Sequence, residues 1–275
     1  SFDLQETLES AKEDILKPLG WDSVDDDIIL KICKGFCGLN LYKTEPIKLG
    51  ERLKNDPNLL MRALKGVAFA ANWFRDALSI ESPQDIPYTF QIVFVALCSD
   101  FIKPDRHEKL FYDWFWFTTY SEAFSGMSDD RVRRALDDFH AMLVQERPIW
   151  TDRKHASFAA WRGDRFDFRS VRTKAILLNL ARNIQSITGH NAFADLKIYG
   201  RDAVRYVYPR AQVGKKFPSV GNRALLPPDS NLNDGWDLRK GASKQFLEAH
   251  FLSGREFWSA ETVVEDRAKR IERYI

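Results

Sequence analysis

Apolar residues recur every three to four positions through the first half of the chain. That period suits packed helices and is wrong for strands, whose side chains alternate with a period of two. Phe2, Leu4, Leu8, Ala11, Ile15 and Leu16 form one such stripe, which Pro18-Leu19-Gly20 ends. Ser23, ahead of Val24 and three aspartates, reads as an N-cap whose neighbouring carboxylates face the positive end of the helix dipole. Ile28, Ile29, Ile32, Cys33 and Phe36 make a second stripe that stops near Gly38. A long helix is expected over 58–78 and a proline-bounded break over 82–87. The nearly all-apolar run 88–101 is expected as the central helix of a bundle. The very aromatic segment from Lys109 to Tyr120 is expected to fill the bundle core, because a platform for nucleobases needs exposed rings. Ser128-Asp129-Asp130 then opens a helix to about Gln145.

The second half reads differently. Between 147 and 167 no steady period holds, which predicts a linker or irregular crossing. A helix follows over 170–187. Val204 to Tyr208 alternates like a strand and ends at Pro209, and Ala224 to Leu226 forms a second short strand before Pro227-Pro228. Helices return over 243–251 and 259–274. A strand, a loop, an Asn-led strand and an Asn-containing turn before a helix is the ββα-metal layout. The expected fold is therefore mainly α: a helical bundle over 1–146, the crossing, and a small ββα module with flanking helices over 168–275.

Charge divides along the same line. Residues 1–150 carry 18 Lys/Arg against 25 Asp/Glu, and residues 151–275 carry 23 against 14. The basic half suits a polyanion partner, although two solvated surfaces of different sign would look the same. The longest apolar run, Ile86 to Cys98, is too short and too interrupted to span a bilayer, so no membrane is expected. Three cysteines (Cys33, Cys37, Cys98) without histidines at metal spacing read as buried thiols in a reducing, cytoplasmic setting. The opening Ser1-Phe2-Asp3 resembles no secretory leader, and the missing start Met suggests a piece of a longer protein. Asp25-Asp26-Asp27 reads as a solvated cap, Gly35 to Gly38 is too short and apolar for a phosphate loop, and His190 after Gly189 reads as a turn residue.

The stretch 203–233 carries a resemblance. Val207-Tyr208-Pro209, Val220-Gly221-Asn222, Leu225-Leu226 and Asn231 follow the order and spacing of the C-terminal HNH-type domain of the GmrSD family of type IV restriction enzymes and SspE-like phage-defence proteins. Ile86-Pro87-Tyr88, the run from Trp114-Phe115-Trp116 to Phe124-Ser125-Gly126, and Trp258 with Glu261 through Arg267 are similar to further segments of that family. The resemblance implies DNA as partner and a ParB-like domain on the N-terminal side in the full-length protein. In an active member it also implies a divalent metal such as Mg²⁺, because the ion stabilises phosphorane charge while a histidine activates water.

This sequence departs from that pattern at the chemistry. Arg205 and Tyr206 stand where the metal-side residue and the general-base histidine are expected. A guanidinium repels a cation, and a tyrosine of ordinary pKa near 10 is a poor base. The degenerate site positions are thus Arg205, Tyr206, Asn222 and Asn231, and no metal or other cofactor is expected. The five histidines lie outside the strand, and a site assembled from Asp202 with Asn231 or His250 is the route by which activity could survive. Three functions stay open. The leading one is a DNA-interacting domain of a restriction or phage-defence protein, with Arg205, Arg210, Lys215, Lys216 and Arg223 on the phosphate backbone and Asp202 the only acid of 201–223. The others are an active metal-dependent endonuclease and a helical protein-interaction module without a nucleic-acid role.

Overall fold

The computed structural model describes residues 4–43, 45–152, 166–226, 228, 230, 239–240, 242–255 and 257–274. The chain divides into two units, Ser1–Phe158 and Ala159–Ile275, a division that falls inside the expected crossing. Most of that crossing, 153–165, lies outside the described residues. Among the described residues the protein is mainly helical, with a single two-stranded sheet. No helix there is long and apolar enough to cross a membrane.

The first unit holds α1 (Leu4–Ile15), α2 (Asp26–Phe36), α3 (Pro46–Asn55), α4 (Leu59–Leu78), α5 (Thr89–Leu97), α6 (Pro104–Tyr120) and α7 (Asp129–Gln145). Helix α2 starts later than a cap at Ser23 implies. Asp25, not Ser23, is the N-cap, accepting from Asp27 N at 2.9 Å, while the Ser23 hydroxyl bonds Gln84. The expected helix over 88–101 is shorter, with α5 ending at Leu97 and a single 3-10 turn following at Ser99–Phe101.

Helix α4 packs on α1, α2 and α5. Its approach to α5 requires Gly66, where a Cβ would lie 2.9 Å from the Ala96 carbonyl oxygen. The aromatic segment helps fill the core, as expected: Phe111, Trp114 and Phe115 are buried, and Trp114 meets Phe139 of α7 at 4.3 Å between ring centroids. Gln91, a polar residue of α5, is buried because it satisfies α6. Its amide donates to the Phe115 carbonyl and to the Thr118 and Thr119 hydroxyls at 3.0–3.2 Å. Beyond α7 the chain stays attached to it. Trp150 is buried against Phe117 and Phe124, and the buried Asp138 carboxylate accepts from both N and Oγ1 of Thr151, at 2.7 and 2.6 Å.

The second unit holds α8 (Val171–Thr188), α9 (Ala192–Tyr199), β1 (Val204–Tyr206), α10 (Arg210–Val213), β2 (Arg223–Leu225), α11 (Lys244–Ala249) and α12 (Ala260–Tyr274). Ser170 caps α8 by accepting from Thr173 N, and Gly189 ends it in the left-handed conformation. The strands pair antiparallel with Val204 opposite Leu225, Arg205 opposite Ala224 and Tyr206 opposite Arg223. Val207, Tyr208, Val213, Ala224, Leu226, Leu252, Val263 and Val264 form the core behind this hairpin. Each fully buried aliphatic chain there is worth about 1.5–3 kcal/mol relative to exposure.

Candidate nucleic-acid interface

The long loop joining β1 to β2 is held shut by Asn222. This residue is fully buried. Its Oδ1 accepts from Tyr208 N at 2.9 Å, and its Nδ2 donates to the carbonyls of Tyr208 and Phe217 at 3.2 Å each. The side chain is spent on backbone, clasping both ends of the 208–217 turn. Ser219 caps the next 3-10 turn by accepting from Gly221 N. Gly221 then lies directly under α12, where a Cβ would sit 2.0 Å from the Val264 carbonyl oxygen. Only a glycine fits between that helix and the hairpin.

Tyr206 and Arg223 share one face of the sheet as a cross-strand pair. The Arg223 guanidinium carbon stands 3.7 Å over the Tyr206 ring, and Nη2 donates to the Tyr206 hydroxyl at 2.8 Å. The opposite side of Tyr206 stacks on Phe217, 4.0 Å between centroids and 17° between planes. Tyr206 is thus a layer in a stack. On the other sheet face Arg205, half-buried, lies opposite the buried Ala224. Arg210 and Lys215 are exposed on the turn, and Lys216 pairs with Glu265 of α12. Asp202 is exposed.

His250, at the end of α11, is buried inside the unit. Its Nε2 faces the Leu225 carbonyl and its Nδ1 the Phe246 carbonyl, both at 3.0 Å. Burial, helped by the nearby Arg267 charge, pushes its pKa down to about 4, so the ring is neutral at pH 7. Arg267 of α12 is fully buried as well. It donates from Nε to the His250 carbonyl at 2.6 Å and from Nη1 to the Gly221 carbonyl at 2.7 Å. Burial brings its pKa down to about 9. Arg267 thereby ties α12 to the hairpin loop and to the end of α11.

These side chains do not fit a divalent ion. Arg205 repels one, Tyr206 is stacked on both faces, the Asn222 amide is committed to backbone, and both His250 nitrogens face carbonyl oxygens. The fourth degenerate position, Asn231, lies outside the described residues. Among the described residues no group of three His, Cys, Asp or Glu converges. His190 is not only a turn residue: its exposed ring places Nε2 2.5 Å from Oδ2 of the buried Asp195 on α9.

Periodicity alone flagged neither Arg267 nor Gly221 as a structural pivot, although Arg267 sits at helical spacing from Val263, Val264 and Ile271. No family model, curated protein or solved structure matches the chain.

Proposed function

We propose that the second unit binds DNA through its phosphate backbone, as a nuclease-like hairpin that has lost its catalytic residues within a GmrSD-like restriction or phage-defence protein. In that reading a ParB-like domain is its natural companion on the N-terminal side. The observation that carries it is the substitution chemistry of β1. The two positions where the resemblance implies a metal-side residue and a base hold a cation and a ring locked between Arg223 and Phe217. Around them Arg210 and Lys215 are exposed, and among the described residues neither has a carboxylate partner. Such cations release condensed counterions when they meet phosphates, which makes binding sequence-tolerant and salt-dependent.

The test is a fluorescence-anisotropy titration of the chain with a short mixed-sequence duplex between 50 and 300 mM salt. Affinity should fall steeply, and the double variant Arg210→Ala/Lys215→Ala should flatten the slope of log K against log salt by up to about two units. Lys216→Ala should do less, because Glu265 already neutralises that lysine. Absence of binding at 50 mM salt, or an unchanged slope in the double variant, overturns the reading.

A further inference from the structure

The Tyr206–Arg223 stack does not end at the sheet. Beyond Arg223 lies Phe166, whose ring centroid is 5.1 Å from the guanidinium carbon. Phe168 meets Phe166 edge-on at 4.8 Å, and the Arg201 guanidinium carbon stands 5.2 Å from the centre of the Phe168 ring. The column therefore runs Phe217, Tyr206, Arg223, Phe166, Phe168, Arg201, drawn from four separate stretches of chain. It is anchored where Phe166 N donates to the Pro218 carbonyl at 2.8 Å.

The two arginines in it are not equivalent. Arg223 is half-buried between two rings and donates to the Tyr206 hydroxyl, which makes it an internal spacer. Arg201 is exposed at the end of the column, and among the described residues it pairs with no carboxylate. A guanidinium lying on a ring keeps its N–H edge pointing outward, and part of its rotamer entropy is already lost before a ligand arrives. The ligand that matches a fixed planar fork of donors is a phosphate oxygen pair.

We propose that Arg201, held by Phe168, is a pre-oriented contact for a DNA phosphodiester, and that Phe166, Phe168 and Arg223 are positioning residues that hold it. This rests on the DNA-binding reading above. It adds a residue outside the hairpin to the interface and moves Arg223 from contact to support.

The test separates charge from orientation in the same anisotropy assay. Arg201→Ala should flatten the salt slope by about one unit. Arg201→Lys keeps the charge but loses the planar fork, and Phe168→Leu keeps Arg201 but removes its ring. Both should leave the slope near wild type and weaken binding about two- to fivefold, the size of an exposed cation–ring contact. Melting temperatures of the variants, followed by circular dichroism, show that each is folded, and Arg201→Lys touches no buried group. If wild type binds and Arg201→Lys and Phe168→Leu match it, the positioning proposal fails while the DNA reading stands. If wild type does not bind, both fail.

Discussion

Replacing Gly221 by alanine is the sharpest probe of how the second unit is built. The added Cβ would lie 2.0 Å from the Val264 carbonyl oxygen, 2.9 Å from its carbon and 3.1 Å from Ala268 N. All three are backbone atoms of α12, so no side chain can rotate away. The helix itself must retreat by more than about 1 Å before the contact reaches ordinary van der Waals distance. That retreat pulls Val263 and Val264 away from Val207, Tyr208 and Val213, and stretches the bond from Arg267 to the Gly221 carbonyl. Overpacking costs about 1–3 kcal/mol. Partial loss of two buried valines and one charged hydrogen bond brings the total to roughly 3–5 kcal/mol. For a unit of this size the melting temperature should fall by roughly 10 °C or more. The assay is differential scanning calorimetry of the full chain, with Gly50→Ala as control. Gly50 lies inside α3 with nothing within 4 Å of a built Cβ, so that change should be neutral or stabilise by up to about 1 kcal/mol. A Gly221→Ala protein melting within about 1 °C of wild type would refute the packing argument.

Two further outcomes follow from buried titratable groups. The folded pKa of His250, about 4, lies below its ordinary value of 6.5, so the unfolded chain takes up the proton first. The resulting stability is complete above pH 6.5 and is lost as pH falls toward 4, by up to about 3 kcal/mol. Urea denaturation at pH 7.0, 5.5 and 4.5 should show this loss, and His250→Gln should shrink it; an equal pH slope in the variant contradicts the assignment. Burial pushes the thiols of Cys33 and Cys98 up to about 12, whereas Cys37 is only half-buried. Alkylation of the native chain at pH 8, read by mass spectrometry, should modify Cys37 first and reach the other two only on unfolding.

How far the sequence foretold this structure varied with the kind of signal. Helix α4 is legible almost to the residue, because twenty positions of one amphipathic pattern end at a single left-handed residue, Ser79. Helix α3 escapes notice because it buries only Leu49 and Leu53, interrupts the pattern with Gly50 and leaves Ile47 exposed. Helix α9 is too short, at eight residues, to show a period. The strands lie close to where alternation places them: β1 stops at Tyr206, short of the expected Tyr208, whose backbone Asn222 takes over, and β2 runs over Arg223–Leu225, one residue earlier than expected. The stacked column was invisible, since its rings and guanidiniums come from separate segments and stacking leaves no spacing in the sequence. Arg267 was visible in principle. It occupies the inward stripe of α12, where a charged residue signals either a misassigned face or a buried polar joint.

The latch between Asp138 and Thr151 bears on where this chain can be cut. A fragment ending at 146, where the helical pattern fades, would discard Trp150 from its seat beside Phe117 and Phe124 and strip the Asp138 carboxylate of two donors. A buried carboxylate deprived of its donors costs more than an ordinary lost contact. The shortest piece of the first unit that keeps its own interior intact therefore extends through Asp152, whose carboxylate also holds Arg131 of α7 at 2.6 Å. Anyone expressing the helical half alone should set the boundary by that joint and not by the end of the last helix.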